Sequence, residues 1–288
     1  MDFVQWCKRV DYWRSNIRHM WMERSERERL LRYLETADLD DAEDLKEFLS
    51  HNRFTSFPYE WALEVNWPFP DVYWDKEKKM YYVDWNGKRL YWRRGDKKKG
   101  VAQCVRTLYR EQYEKSPHRY VFPADMKNAV VADIGAAEGC FALDVIDRVQ
   151  HIYLFECDDV WMDPLAATFA PWKEKVTIVK KYVGTGIDED CITLDEYFTD
   201  KSLDFIKVDI EGAEIDMLSS GRETLARKVR GANVCLYHRE KDEADIINLL
   251  RELGYTCKVN PGYILYPYSE EPQGCFRRGV VQAKRKLP

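Results

Sequence analysis

The sequence lacks the features that mark several common classes of protein. No apolar run in its 288 residues is long enough to cross a bilayer. Its eight cysteines are scattered and none forms a C-x-x-C pair, which argues against a zinc ribbon. Internal repeats and low-complexity segments are absent. The formal net charge is −5, so the chain as a whole does not attract nucleic acid. A globular protein that does not insert into membranes fits these absences.

The N-terminal sequence and the cysteines bear on where the protein works. MDFVQWCKRVDYWRSNIRHMW has charges every few residues and no apolar centre, so it does not have the form of a signal peptide. Several cysteines lie within apolar runs, as buried and reduced thiols do. We therefore expect a cytoplasmic protein.

The first part of the chain is rich in helix and hairpin signals. Residues 1–53 predict helices, because apolar residues repeat at helical spacing after possible caps such as Ser25. Prolines among aromatic residues predict a loop or extended segment over 54–70. Asn86-Gly87 is the strongest hairpin signal and predicts a small antiparallel sheet over 71–94.

From Val130 onward the pattern changes to short β-branched runs that alternate with helical segments. The candidate strands are VVADI, IYLFE, VTIVK, DFIKVDI and NVCLYH. Such alternation predicts an α/β fold with a doubly wound, mostly parallel sheet. We predict two domains: a helical and hairpin region over residues 1–116, for substrate selection or partner binding, and the α/β domain over 117–288.

The stretch VVADIGAAEG has the form of a nucleotide-type binding loop. An apolar run ends in Asp133, and Gly135 and Gly139 follow at G-x-x-x-G spacing. A second apolar run ends in Glu156, about twenty residues on. Ligands lie across the carboxyl ends of parallel strands, where glycines allow close approach and an acid can accept hydrogen bonds from ribose hydroxyls. A strand–helix turn with incidental glycines is the alternative.

The spacing of the glycines discriminates between cofactors. Dinucleotide sites use G-x-G-x-x-G to bring backbone amides onto a pyrophosphate. Here Ala136, Ala137 and Glu138 separate the glycines, and the charge of Glu138 disfavours a pyrophosphate. S-adenosylmethionine (SAM), a phosphate-free cation, fits better than NAD, with S-adenosylhomocysteine (SAH) as its product. Our predicted cofactor site also includes Ala136, Glu138, Cys157, Val183 and Asp209.

Candidate catalytic residues follow the later strands. Asp209 and Glu211 end the fourth predicted strand, and His238 ends the fifth. A neighbouring carboxylate would raise the pKa of His238, so a general base is one hypothesis. A divalent metal held by Asp209, Glu211 and His238 is a second, and a structural role is a third. Acids at a helix start also stabilise its dipole, which could explain Glu214 entirely.

Two further segments could have either a functional or a purely structural role. His118 and Arg119 precede the first strand and are candidates for binding the substrate, although a helix-ending turn at Ser116-Pro117 would also place them there. The run KRLYWRRGDKKKG mixes cations with aromatic residues, as nucleic-acid-binding surfaces do. A hairpin edge guarded by lysines is the commoner explanation, so we expect nucleic acid not to be a partner.

Four ordered motifs resemble the FkbM-type SAM-dependent methyltransferases: VVADIGAAEGCFAL, LFECDDVW, DFIKVDIEGAEIDML and CLYHREKDEADIINLLRELGY. The resemblance covers residues 110–268. It implies a Rossmann-like seven-stranded sheet and O-methylation of a sugar or another small natural product. It also implies that Asp133, Gly135 and Gly139 line the SAM loop, that Glu156 binds the ribose, and that Asp209 and Glu211 face the reaction centre.

Other functions stay open at this point. A methyltransferase acting on nitrogen, nucleic acid or protein is one alternative, and a SAM-binding module without catalysis is another. A base N-methyltransferase would more typically have an NPPY-like segment where this chain has VDIEGAE. A homo-oligomer is possible, and the sequence does not name the acceptor.

Overall fold

The computed structural model describes residues 23–186 and 188–286. The predictions about the first 22 residues, including the absence of a signal peptide, therefore lie outside the described part of the chain. No helix within the described ranges combines the length and the apolar character needed to cross a membrane.

The helices and strands are as follows. The helices are α1 (residues 23–34), α2 (Ala42–His51), α3 (Glu60–Glu64), α4 (Lys98–Glu111), α5 (Cys140–Val145), α6 (Met162–Phe169), α7 (Leu194–Tyr197), α8 (Glu214–Ser219), α9 (Arg222–Arg227) and α10 (Asp242–Glu252). The strands are β1 (Val72–Asp75), β2 (Met80–Trp85), β3 (Lys88–Tyr91), β4 (Val130–Ile134), β5 (His151–Phe155), β6 (Val176–Val179), β7 (Tyr182–Val183), β8 (Cys191–Ile192), β9 (Phe205–Val208), β10 (Gly231–Cys235), β11 (Thr256–Val259), β12 (Ile264–Leu265), β13 (Phe276–Arg277) and β14 (Val280–Lys284).

The chain divides into two compact units. The smaller contains the described residues up to Val65 together with Gly262–Arg277, and the larger contains Asn66–Pro261 and the described residues from Arg278 onward. In the smaller unit, apolar side chains of α1 and α2 form one core with residues of the 262–277 segment: Leu30, Leu34, Leu45, Phe48, Leu49, Tyr263, Leu265, Cys275 and Phe276.

A seven-stranded sheet organises the larger unit, in the order β11-β14-β10-β9-β4-β5-β6. Only β14 runs against the others, since it pairs antiparallel with both β10 and β11. Helices connect the parallel strands, and the central strands β4, β9 and β10 are buried along their whole length. The predicted doubly wound, mostly parallel seven-stranded sheet is confirmed. Its β4, β5 and β9 bring their carboxyl ends to one edge.

The predicted hairpin forms β2 and β3 of a separate three-stranded antiparallel sheet. Asn86 and Gly87 form its two-residue turn, with φ of 54° and 80°, as a type I′ turn requires. Trp85 donates to Asp144 of α5 at 2.8 Å. Val83, Leu90 and Val105 belong to one apolar core with residues of α5 and β5.

The compact units therefore divide at residues 65 and 66, whereas the sequence predicted a division at 116 and 117. The apolar faces of the hairpin and of α4 are buried in the core of the larger unit, and this burial places both elements there. The proposal that residues 1–116 select the substrate stays a prediction.

Candidate functional site

The loop after β4 packs tightly against the end of β9. Gly135 has a φ of 77°, and a Cβ atom there would lie 1.8 Å from the carbonyl oxygen of Asp209, so only glycine fits. The amides of Gly135 and Ala136 both donate to the carbonyl oxygen of Phe155. Gly139 is the N-cap of α5, with a φ of 86°, and a Cβ atom there would lie 2.8 Å from the Phe169 ring.

Glu156 follows β5 directly and is buried, with 8% of its surface exposed. Its Oε2 accepts from the Ala137 amide and its Oε1 from the Asp158 amide, both at 2.8 Å. These bonds fix the carboxylate against the loop. A cavity of about 440 Å³ opens beside it, lined also by Gly135, Cys157, Val183 and Asp209. We call it the first cavity, and its volume is in the range of small-molecule sites.

A second cavity, of about 250 Å³, adjoins the first, because Gly135, Ala137, Asp209 and Glu211 line both. Its other walls come from α4, from the segment before β4, and from the loop after β4. Acidic side chains dominate the lining: Glu111, Asp133, Glu138, Asp209 and Glu211. Burial raises the pKa of Glu111 and of Glu138. The second cavity thus suits a ligand with positive charge or with hydroxyl groups.

Asp209 lies at the wall common to both cavities. The Tyr120 hydroxyl donates to its Oδ2, and the Tyr237 hydroxyl donates to its Oδ1 at 3.1 Å. Burial by itself would raise the pKa of Asp209, but Lys207, His118 and the bond from Tyr120 outweigh it and lower the pKa to about 2. Burial and the charge of Asp209 raise the pKa of both tyrosines, which therefore remain hydrogen-bond donors. Asp209 is an oriented carboxylate.

A buried ion pair lies next to Gly135 and Asp209, which line both cavities. Lys207, in β9, is 4% exposed, and its Nζ lies 3.0 Å from Asp133 Oδ1 and 2.6 Å from the Gly135 carbonyl oxygen, to which it donates. Burial alone would lower the pKa of Lys207, but Asp133 and Asp209 hold it above its ordinary value. Asp133 is fully buried, and its Oδ2 has no hydrogen-bond partner among the described residues.

His238 lies behind Asp209 and lines neither cavity. Strand β10 ends at Cys235, three residues earlier than predicted, where its last pairing with β14 ends. His238 Nε2 lies 3.4 Å from Asp209 Oδ1, and Nδ1 lies 2.8 Å from Glu214 Oε1. Burial alone would lower the pKa of His238, but the hydrogen bond to Glu214 and the charge of Asp209 raise it.

Glu214 does more than balance the dipole of α8. It is fully buried, and its Oε1 accepts from the amides of Ile210 at 3.0 Å and of Gly212 at 3.3 Å. A helix-start role, which the sequence allowed as a full explanation of Glu214, therefore does not account for all of its contacts. Glu211, by contrast, points outward with 94% of its side chain exposed, and it has a φ of 56°. Its Oε2 lies 3.7 Å from His238 Nε2.

The side chains that could bind a metal ion differ from the predicted set. Among the described residues, Asp209, Glu214 and His238 offer ligand atoms within 4.8 Å of one another, so Glu214 takes the position expected for Glu211. Glu214 and Asp209, however, contact different nitrogens of the His238 imidazole. These contacts explain why the three side chains lie together without a metal ion.

His118 lines the second cavity, and Arg119 is exposed and lines neither. His118 Nε2 lies 2.8 Å from the Tyr237 hydroxyl. Because that hydroxyl donates to ionised Asp209, Nε2 must carry the proton and donate to the Tyr237 oxygen. The other ring nitrogen, Nδ1, is buried without a hydrogen-bond partner among the described residues.

The structure thus brings together most of the predicted cofactor residues. Those that line a cavity are Asp133, Gly135, Ala136, Glu138, Glu156, Cys157, Val183 and Asp209, and Gly139 stands outside both linings. The sequence reasoning missed Tyr120, Lys207 and Tyr237. Lys207 did give a signal, since a lysine inside an otherwise apolar central strand needs a buried partner.

The comparison with protein families agrees with the motifs. A family model described as the methyltransferase FkbM domain matches residues 133–257. No match was found among curated proteins. A solved methyltransferase FkbM from Methylobacillus flagellatus KT is similar at 19% identity, over 64% of this chain and 52% of that chain, with a TM-score of 0.47. This chain therefore spans about half the length of that relative.

Two other solved structures are similar over a comparable part of the chain. A precorrin-6y C5,15-methyltransferase from Geobacter metallireducens GS-15 is 15% identical, over 55% of this chain and 80% of that chain, with a TM-score of 0.38. An rRNA methylase from Streptococcus thermophilus is 13% identical, over 56% of this chain and 89% of that chain, with a TM-score of 0.37. The match of the family model to residues 133–257 confirms the resemblance to FkbM-type methyltransferases found in the sequence.

Proposed function

We propose that this chain is a SAM-dependent methyltransferase that methylates a hydroxyl group of a small acceptor, either a sugar or another natural product. The observation that carries the proposal is the position of Asp209. Its carboxylate lines both cavities and is oriented by two tyrosine hydroxyls. A group fixed between a cofactor cavity and an acceptor cavity is suited to align a hydroxyl for in-line attack, and alignment supplies much of the rate in such reactions.

The residues of the first cavity fit SAM. Each oxygen of Glu156 accepts one backbone amide and keeps a lone-pair direction for a ribose hydroxyl. Asp133 lines the second cavity, and its Oδ2, buried without a hydrogen-bond partner among the described residues, is suited to accept from the ammonium group of the methionine moiety. The bound cofactor would supply a methyl group already activated by its sulfonium. Glu138 and the other acids at the second cavity would favour that cation.

Two histidines have different tasks in this proposal. An efficient general base has a pKa near the working pH, and the pKa of Asp209 is about 2, so Asp209 is better suited to orient the hydroxyl than to take its proton. His118 lines the second cavity, and its Nδ1 has no hydrogen-bond partner among the described residues. We therefore assign His118 the role of general base, which takes the proton from the acceptor hydroxyl. His238, which the sequence favoured as the base, would position Asp209 together with Glu214.

Calorimetry with SAM tests the cofactor assignment. Glu156→Ala should weaken binding by about 1.5–3 kcal/mol, the scale of hydrogen bonds to a charged group. Glu174→Ala is the matched control, because Glu174 is an exposed glutamate that lines neither cavity. Equal SAM affinity of the two variants would contradict the assignment of Glu156 to the SAM site.

A turnover assay tests the reaction. The protein would be incubated with its own cell extract and SAM carrying a labelled methyl group. Label in an ether of a hydroxylated small molecule supports O-methylation, whereas label on protein, nucleic acid or an amine contradicts it. His118→Gln should then lower turnover about 10²–10⁴-fold with SAM affinity unchanged, the usual range for a general base.

We also propose that residues 1–116 select the acceptor and that the protein works in the cytoplasm. Hydrogen exchange with and without the identified acceptor tests the first point. Protection confined to the larger unit beyond residue 116 would contradict it.

A further inference from the structure

The net charge of −5 conceals a strongly basic segment. Between residues 76 and 99 the sequence has ten lysines and arginines and three acids. We call its exposed cations the basic hairpin surface: Lys76, Lys79, Arg89, Arg94, Lys97, Lys98 and Lys99, with the half-buried Lys78. The expectation that nucleic acid is not a partner rested on the overall net charge and on the explanation of these lysines as guards of a hairpin edge.

Arg94 links two parts of this segment. Arg94 donates through Nη1 to the carbonyl oxygens of Lys78, at 2.8 Å, and Lys79, at 3.3 Å. The turn between β1 and β2 is thereby held against the segment after β3. That segment runs without interruption into α4, whose first residues are Lys98 and Lys99.

Ordinary structural roles do not account for these lysines. Guard lysines protect the edges of sheets. Lys76, Lys78 and Lys79 instead occupy a turn, and Lys97–Lys99 occupy the start of a helix. Acids are favoured at a helix start, and lysines there oppose the dipole. The first turn of α4 has no acid, and none of Lys97–Lys99 has an ion-pair partner among the described residues.

Two exposed aromatic rings lie in β1, the strand that leads into the turn of Lys76, Lys78 and Lys79. Tyr73 and Trp74 of β1 are 47% and 50% exposed. The Tyr73 ring stacks on Tyr82 with centroids 5.4 Å apart and planes at 27°, and the Arg89 guanidinium lies 4.8 Å from the Tyr82 centroid. Flat exposed rings beside a track of cations are the means by which proteins hold unpaired bases and their phosphates.

We propose that the basic hairpin surface binds single-stranded nucleic acid, with phosphates on the lysines and bases stacked on Tyr73 or Trp74. An anionic membrane would use the same cations, but it would need apolar side chains that protrude together. Tyr73 and Trp74 are consecutive in a strand and so point to opposite faces of the sheet. Nucleic acid is therefore the occupant that the geometry favours.

Fluorescence anisotropy with a labelled single-stranded oligouridine of about 12 nucleotides tests the proposal, across sodium chloride from about 50 to 200 mM. The test variant is Lys97→Glu, Lys98→Glu, Lys99→Glu. The control replaces three exposed lysines outside the surface by glutamate: Lys127, Lys173 and Lys258. Both variants change the net charge equally. We expect roughly a tenfold or larger loss of affinity in the first only, with a shallower salt dependence.

Trp74→Ala and Tyr73→Ala test the stacking. At least one should weaken binding roughly fivefold or more, with an unchanged salt slope. Equal loss in both charge variants, or no binding by the wild-type protein at the lowest salt, would overturn the proposal. Binding to vesicles containing phosphatidylserine but not to the oligonucleotide would also overturn it. SAM affinity should be the same in all these variants, so the outcome is independent of the methyltransferase proposal.

Discussion

Glu214→Gln is the most direct test of how the site is held together. Glutamine has nearly the shape of glutamate and can still accept from the amides of Ile210 and Gly212. What it loses is the charge beside His238 Nδ1, 2.8 Å away. Hydrogen bonds to charged groups contribute about 1.5–3 kcal/mol and neutral ones about 0.5–1.5 kcal/mol, so we expect a loss of about 1–2 kcal/mol.

The loss should depend on pH in a defined direction. The hydrogen bond to Glu214 and the charge of Asp209 raise the pKa of His238 in the folded protein, against the effect of burial. Folding therefore favours the protonated imidazole. The contribution of His238 to the free energy of unfolding is fully present below its pKa in the unfolded chain, about 6.5. It is lost as the pH rises through its pKa in the folded protein. The lowered pKa of Glu214 keeps that group ionised throughout this window.

Hydrogen exchange of the β10 amides provides a local readout, which is needed because a chain with two compact units does not have to unfold in one step. The free-energy difference between wild type and Glu214→Gln should be larger at about pH 6 than at about pH 8.5. Glu223→Gln, an exposed helix-start glutamate paired with Arg227, is the control and should change stability by less than about 0.5 kcal/mol. A difference that stays constant, or grows toward high pH, would refute the argument.

Four further outcomes follow from the same geometry. Gly135→Ala should abolish SAM binding or folding, because its Cβ would overlap the Asp209 carbonyl oxygen. Gly95→Ala, at a φ of 86° with open space, should cost only about 1 kcal/mol, and similar behaviour of the two variants in calorimetry would contradict the packing argument. Asp209→Asn should lower turnover at least about 100-fold while SAM affinity stays nearly the same, and an equal loss in both measurements would mean that Asp209 only binds the cofactor. Lys207→Met should destabilise the protein by about 3–5 kcal/mol in urea unfolding by leaving Asp133 unpaired, and adding Asp133→Asn should restore part of that; no restoration would argue against the ion pair. EDTA should leave turnover unchanged, and a loss reversed by magnesium would favour the metal hypothesis for Asp209, Glu214 and His238.

Much of the fold could be predicted because its signals are local. The β-branched runs gave the parallel strands, and Asn86-Gly87 gave the hairpin, because backbone conformation at those positions depends on the residues themselves. The two compact units could not be predicted in the same way. The segment 262–277 joins the smaller unit through apolar side chains such as Leu265 and Phe276, whose partners lie more than 200 residues away in sequence.

The site was predictable to the same degree. Strand ends and glycines located the loop at Gly135 and the acids at Glu156 and Asp209, since a parallel sheet collects its functional groups at one edge. Tyr120 was missed because it reaches Asp209 from a segment 89 positions away. The buried contacts of Glu214 were missed for a similar reason, since an acid at a helix start looks the same in sequence whether it faces water or a buried imidazole.

The order of the strands has a consequence for how the protein is synthesised. Strand β14 follows all the other strands in the described part of the chain, yet it lies between β10 and β11 and is the only neighbour of β11 among the described strands of the sheet. While the chain emerges from the ribosome, β10 keeps an unpaired edge, and β11 has no partner until residues 280–284 appear. An unpaired edge can pair with other chains. Chains whose translation stops between β11 and β14 should therefore be prone to aggregation, even though every residue that lines the two cavities has been made.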